Sequence, residues 1–387
     1  MAELSRRHGD LMFLRIGEVP TLVVSGAEAA ELVMKTHDLA FCSRSTTSVT
    51  IDIVGCKGKG IGFAPYGDRW RQTKKIVVME LLSAAQVKRI ESIRADEVGR
   101  LVRSIADATG ARDDGVVNVS EEVKALAPDL VSMAMFGGKC VENSEFVVQY
   151  DEVSKLVSGF FPVDLFPSSR LVRWLSIGEH HLVKSYGRIQ RIIATIIESR
   201  KAAKNGRAAC GPDHHEQEDL LGVMLRLQEE GSLTFPLTSE NIGAVMFDIF
   251  GGATTTIGST LEWAMAGLMK KPEAMEKASS QPSTCPPYWD NPESFNPERF
   301  ENNNIDYKET NFEFTPFGSG RRQCPAIMFG TSTLEIALAN LLYHFDWVLP
   351  NGVSPELVDM SEKYGMGVSK KLDLYLRAIP YVYSSVA

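Results

Sequence analysis

One stretch limits the architecture before any other: the run from Thr238 to Lys270. Thr238-Ser239-Glu240 reads as a helix cap, the residues after it keep a helical pattern, and Pro272 stops them. A helix of this length spans on the order of 45 Å. That is enough to cross a whole domain, so the rest of the chain must wrap around it. Its centre, Phe250-Gly251-Gly252-Ala253-Thr254-Thr255-Thr256-Ile257-Gly258, is made of poor helix formers. Such residues suit a helix that bends to make room for something flat, its hydroxyls bonding the carbonyl one turn back. The other reading is a core helix with a small-residue packing groove.

The second constraint is the loop Phe314-Thr315-Pro316-Phe317-Gly318-Ser319-Gly320-Arg321-Arg322-Gln323-Cys324-Pro325. It sets one cysteine in a glycine-rich, basic turn just before an apolar run. Arg321, Arg322 and the start of a following helix, which Pro325 suits, are all expected to stabilise a Cys324 thiolate. Gly318 and Gly320 permit positive φ and close approach to a flat ligand, and Phe317 is placed to shield the sulfur. A single shielded cysteine of this kind is a soft metal ligand or a nucleophile; the bland reading is a glycine-rich turn with a buried free thiol. Phe317, Gly320, Arg322 and Cys324 match Phe-x-x-Gly-x-Arg-x-Cys, and the loop resembles the haem-binding loop of the cytochrome P450 (haem-thiolate monooxygenase) superfamily.

That resemblance implies haem b with Cys324 as the axial iron ligand and Arg322 paired with a haem propionate. It also places Trp70 and Lys74 in the helix that contacts a propionate. There the family, particularly its plant branch, carries Trp-x-x-x-Arg, and lysine lacks arginine's bidentate fork. In the long helix, Thr260-Leu261-Glu262-Trp263-Ala264-Met265 fixes an alignment to the family's Ala/Gly-Gly-x-Asp/Glu-Thr-Thr/Ser pattern. Thr256 then falls on the threonine that helps to stabilise bound dioxygen, and Thr255 on the usual acid, which is absent. Ala253 and Ala326 each stand where the family has glycine. Electrons would come from NADPH through a flavoprotein reductase, docking on a basic face that includes Arg69, Arg71, Lys75 and Arg321. The substrate would be a small apolar molecule. The family location is the cytosolic face of the endoplasmic reticulum.

Bulk properties agree with an enzyme of this kind. The chain has 387 residues, 44% of them hydrophobic, so a large core is available. A net charge of -8 argues against nucleic acid as the main partner. The cysteines (Cys42, Cys56, Cys140, Cys210, Cys285, Cys324) form no CxxC pair, which fits a reducing compartment and disfavours a zinc or redox protein. His180-His181 and His214-His215 lack metal-site spacing and read as surface. No apolar run is long enough to span a membrane, and no signal peptide or membrane anchor is seen at the start.

In order, the chain predicts a hairpin (Leu11–Ile16, Thr21–Ser25) and a helix from Ala27 to Thr36 with Leu32 and Val33 inward. A long loop follows from Phe41 to Gly62. A helix opened by Asp68 as N-cap carries Trp70, Lys74 and Val77 on one face. Further helices are expected over Ser83–Ala106, Asn118–Met135 and Val172–Lys201, with an exposed loop from Lys201 to Glu218. The apolar segment Phe160–Pro167 lines a substrate entrance, touches a membrane surface or forms a core corner; sequence leaves all three open. Ile327–Phe345 is a helix with Leu334, Leu338, Leu341 and Phe345 on its apolar face, and strands close the C-terminus.

The resemblance covers nearly all of the chain but stops short at one place. Only seven residues separate Lys271–Ala278 from Pro286-Pro287-Tyr288-Trp289…Pro297-Glu298-Arg299-Phe300, where the family has a large block with a Glu-x-x-Arg helix. Here Glu-x-x-Arg occurs only as Glu3/Arg6, Glu91/Arg94 and Glu97/Arg100, all upstream of the long helix, so Arg299 loses its expected partners. The expectation is one mainly α domain over residues 1–387 with small β elements, P450-like and incomplete, with an internal deletion around residues 279–285. The function implied is haem-dependent monooxygenation; the alternative is a non-catalytic remnant that binds haem weakly or not at all.

Overall fold

The long helix runs unbroken over 32 residues, Ser239–Lys270. Its start is a reciprocal capping box. The Thr238 hydroxyl accepts from the Asn241 amide (3.3 Å), and the Asn241 side chain accepts from the Thr238 amide (3.2 Å). The computed structural model describes residues 2–45, 48–137, 141–158, 161–207, 219–231, 233, 235–271, 311–350 and 352–381. The stop at Pro272, Arg299, Cys140, Cys210, Cys285, His214-His215 and the segment around 279–285 lie outside them.

Ile242, Val245, Phe250, Ile257, Leu261 and Met265 are all buried, as expected of a helix apolar on most sides. Helix α1 is Glu91–Gly110, α2 is Val119–Phe136, α3 is Val141–Val157 and α4 is Ile177–Arg207. Helix α2 lies along the long helix, which α4 and the cysteine helix Ile327–His344 flank. Asn118 caps α2 by accepting from the Glu121 amide (3.2 Å), and Gly137, at φ 70°, ends it. Strands β1 (Leu11–Ile16) and β2 (Val19–Val24) form a hairpin. Strands β3 (Val116–Asn118), β4 (Phe345–Val348) and β7 (Tyr375–Pro380) form an antiparallel sheet in the order β3-β7-β4. Strands β5 (Glu362–Lys363) and β6 (Ser369–Lys370) pair with each other. Because β4 follows the cysteine helix directly, pairing of Trp347 with Ala378 anchors that helix at its far end.

A buried carboxylate ties these layers together. Glu262, fully buried in the long helix, accepts from the Ser120 hydroxyl and from Lys124 Nζ (3.0 Å), both on α2. Ser120 Oγ in turn accepts from the Leu374 amide (2.7 Å), just before β7. Lys124→Met leaves this carboxylate without its cation. Because Lys124 is itself 39% exposed, the expected loss is about 2–3 kcal/mol, below that of a fully buried pair. Urea titration checks it, and adding Glu262→Gln should recover most of the loss.

Several expectations are corrected. The Phe41–Gly62 stretch holds a helix, Val49–Val54, capped by Ser48, and a 3-10 turn, Cys56–Gly58. The hairpin turn is only Gly17-Glu18, so Pro20 lies inside β2 opposite Arg15. Leu32 is 51% exposed rather than inward, because Leu32–Thr36 is a π-helical turn that rotates the side chains out of the α register. Gly67, not Asp68, occupies the N-cap; Asp68 sits in the first turn and pairs with Arg71. Ser83 caps Ala84–Arg89, and Ile90 separates that helix from α1. The Val172–Lys201 helix is two, Arg170–Trp174 and α4, which continues to Arg207 into the expected loop. On the cysteine helix the buried face is Phe329, Thr333, Ala337 and Leu341; Leu334 and Leu338 are half-buried. His180 and His181 are exposed, as read.

Candidate functional site

The cysteine loop is built by its own backbone. The Gly318 amide bonds the Thr315 carbonyl (3.0 Å), and the Cys324 amide closes the loop on Phe317 O (2.9 Å). Gly318 and Gly320 have φ of +66° and +67°. A Cβ at Gly320 would lie 2.1 Å from Met34 O, so the loop seats against the Leu32–Thr36 turn only with glycine there. Ala326, where the family has glycine, sits at φ -106° and accommodates its methyl group without strain. Its amide donates to Cys324 Sγ (3.4 Å).

The two arginines do not stabilise the sulfur as expected. Arg321 pairs with Asp38 (2.6 Å) and lies over Tyr66. Arg322 donates to three backbone carbonyls: Cys42 (2.7 Å), Ile61 (3.2 Å) and Ala64 (2.6 Å). Its guanidinium stacks 4.1 Å above the Trp70 ring. Burial, and then repulsion from Arg44, lowers its pKa to about 10. Burial raises the Cys324 thiol above its usual range, outweighing the Ala326 amide and nearby Lys74, which pull it down.

Trp70, Lys74 and Arg322 nevertheless converge on the cysteine loop. The Trp70 helix is Asp68–Ile76, and Trp70 is 5% exposed. Its indole N–H donates to Ile61 O (3.0 Å), the same oxygen that Arg322 uses. Lys74 Nζ donates to the carbonyls of Arg321 (2.5 Å) and Gln323 (3.3 Å), either side of Arg322, and lies 5.4 Å from the Trp70 ring centroid. Burial, then Arg322, lowers the Lys74 pKa.

The long helix presents an open stripe in its middle. Gly252, Thr256 and Thr260, spaced four apart, are exposed among buried and half-buried neighbours, and nothing lies within 4 Å of a Cβ built on Gly252. Thr256 Oγ1 donates back to Gly252 O (2.6 Å), as anticipated for hydroxyls in this helix. Thr255 is half-buried, with Cγ2 3.1 Å from a Cβ built on Gly367. Sequence reasoning passed over Asp248, one turn earlier. Its carboxylate accepts from the amides of Ile61 (2.6 Å) and Gly62 (3.0 Å), and its depth in the fold raises its pKa to about 6 against the pull of those two N–H groups. The signal available was a lone acid inside the apolar run Ala244–Phe250.

Comparison with known proteins decides what this arrangement belongs to. The cytochrome P450 family model matches residues 1–281 and 283–376. The chain is a cytochrome P450. It is 37% identical over 458 residues to ent-cassadiene hydroxylase of Oryza sativa subsp. japonica, covering 99% of this chain and 87% of that protein. It is 36% identical over 443 residues to desmethyl-deoxy-podophyllotoxin synthase of Sinopodophyllum hexandrum (97% and 86%). It is 35% identical over 451 residues to 5-epiaristolochene 1,3-dihydroxylase of Nicotiana tabacum (98% and 88%). A zebra fish cytochrome P450 structure with abiraterone shares the fold at TM-score 0.75 and 17% identity, covering 98% of this chain and 97% of that one. This P450 is therefore a haem-iron monooxygenase of the plant type, supplied with electrons from NADPH by a reductase.

Proposed function

We propose that this P450 inserts one oxygen atom from dioxygen into a C–H bond of an apolar secondary metabolite, with Cys324 as the sulfur ligand of haem iron. The observation that carries the reading is the convergence of Trp70, Lys74 and Arg322 on the Cys324 loop. All three are donors whose acceptors here are backbone carbonyls. The propionates of a porphyrin would offer them charged acceptors, which make stronger hydrogen bonds. The open Gly252–Thr256–Thr260 stripe leaves room for a flat group against the long helix. Among the described residues no cluster of His, Cys, Asp and Glu competes as a metal site. When bound, haem supplies the oxygen activation. The chain's own part is to hold iron through sulfur, pin the porphyrin edge and place the Thr256 hydroxyl.

An apolar substrate is supported by the relatives named ent-cassadiene hydroxylase and 5-epiaristolochene 1,3-dihydroxylase. Peripheral contact with the endoplasmic reticulum membrane is supported by Leu171, Trp174 and Leu175, which are 65%, 79% and 59% exposed beside Phe161–Pro167. That segment itself has a mixed character, with Val163 buried and Phe166 exposed; Phe160 lies outside the described residues. No described helix is long and apolar enough to cross a membrane. For reductase docking, Arg71 and Arg321 are paired with Asp68 and Asp38. That leaves exposed Arg69 and Lys75 as the better candidates.

The three reported alignments are each longer than this chain, and the family match is interrupted at residue 282; together these support an internal block missing near residues 279–285. The reduced, carbon-monoxide-bound spectrum of the purified protein tests whether the site assembles all the same. A thiolate-type Soret band is expected; a free-haem band or none would establish the non-catalytic remnant instead. Thr255 bears on the efficiency of turnover, since no acid adjoins Thr256 in the sequence. Thr255→Asp should raise product formed per NADPH consumed by about tenfold, a conservative share of what a placed acid contributes. Unchanged stoichiometry would show that hydroxyls and water already deliver the protons.

A further inference from the structure

Asp248 joins two parts of the molecule that the chain keeps far apart. It sits on the long helix, one turn before Gly252 and two before Thr256. The loop that meets it is shaped around its carboxylate. A Cβ on Gly60 would lie 2.1 Å from Oδ2, and one on Gly62 3.2 Å from Oδ1. The carboxylate takes the amides of Ile61 and Gly62, at 2.6 and 3.0 Å. Two charge-assisted bonds to adjacent N–H groups fix the orientation of the peptide they hold. The carbonyl of the same Ile61 accepts from the Trp70 indole (3.0 Å) and from Arg322 (3.2 Å). Gly62 O is held in turn by Arg44 Nε (3.1 Å).

We propose that Asp248 is a positioning residue: by gripping the Ile61 and Gly62 amides it aims the Ile61 carbonyl, and through that oxygen sets the Trp70 indole and the Arg322 guanidinium. Its relevance to the cofactor rests on the reading above, but the mechanical link does not. Asp248 on the long helix thereby orients two donors through one shared carbonyl, with no hydrogen bond to either of them. A carboxylate suits the task because it accepts two bonds at once and donates none. Both amides meet the one oxygen Oδ2, so asparagine keeps the shape and an acceptor but loses the charge that strengthens both bonds.

The test is hydrogen exchange on the full chain, followed by NMR, for Asp248→Asn and for Gly60→Ala. The second variant pushes on the carboxylate from the loop side. In both, exchange of the Ile61 and Gly62 amides, the Trp70 indole N–H and the Arg322 Nη1–H, which are the groups bonded to Asp248 or to Ile61 O, should accelerate at least tenfold, while the α2 amides keep their rates. Faster exchange at Ile61 and Gly62 that does not reach Trp70 and Arg322 overturns the proposal. So does equal loosening of α2 in Gly60→Ala, which would make the contact a support for the whole fold. Should Asp248→Asn fail to fold, Gly60→Ala decides. If the wild-type chain takes up no haem, the functional reading falls while the exchange result stands.

Discussion

Cys324→Ser is expected to abolish the thiolate-type Soret band of the reduced, carbon-monoxide-bound protein and to lower turnover by more than about a hundredfold. Losing an outer-shell partner of a metal ligand already costs roughly ten- to a hundredfold, and this change removes the ligand itself. The argument is chemical. A thiolate donates electron density to haem iron in a way that a serine hydroxyl, protonated at neutral pH, does not. The fold should be spared. Cys324 is held by its backbone amide on Phe317 O, and its side chain accepts only the long bond from the Ala326 amide (3.4 Å), which a serine oxygen can also take. Melting temperature should thus move little while the spectrum changes completely. A pigment and spectrum that survive the substitution untouched would remove the basis for assigning iron to this loop.

What the sequence disclosed about this loop, and what it hid, follows from the range of the interactions. Four fixed positions around Cys324 are local, so they were legible, as were the Thr238 cap, the helix start at Asn118 and the Trp70–Lys74 face. The behaviour of Arg321 and Arg322 was not. Their partners, Asp38, Cys42, Ile61 and Ala64, lie some 260 to 280 positions away, and nothing near the arginines announces them. The expectation of a charge-stabilised thiolate failed for that reason: proximity in sequence was read as proximity in space. Asp248 was missed because its partners are backbone amides 186 and 187 residues distant, which carry no side-chain signature. Leu32 was misplaced because a π turn breaks the spacing on which helical faces are counted. Caps and motifs speak through adjacent residues, whereas a carbonyl such as Ile61 O, on which two donors meet, depends on the finished fold.

The largest loss of stability is expected from Phe250→Ala. Phe250 is 1% exposed and packs edge-on to Phe146 (ring centroids 4.6 Å, 79°) and Tyr150 (5.1 Å, 70°), both on α3. Emptying such a site costs about 3–5 kcal/mol through lost transfer energy and the cavity left behind. The edge-to-face contacts account for about 0.5–1.5 kcal/mol apiece beyond their area. Relaxation cannot close the gap easily, because Gly251 beside it leaves only enough room for the Tyr150 hydroxyl; a Cβ there would lie 2.2 Å from that oxygen. Phe250→Leu keeps most of the volume and should lose about 1.5 kcal/mol or less. Urea titration should show the midpoint falling with an unchanged slope. Since Phe250 stands two residues before Gly252, the variant also separates support from chemistry. The fraction of chain that binds haem should fall, yet the thiolate band of what remains should not move, the reverse of the Cys324→Ser outcome. A loss under about 1 kcal/mol, well short of the cavity estimate, would mean that α3 is held to the long helix by something other than this aromatic cluster.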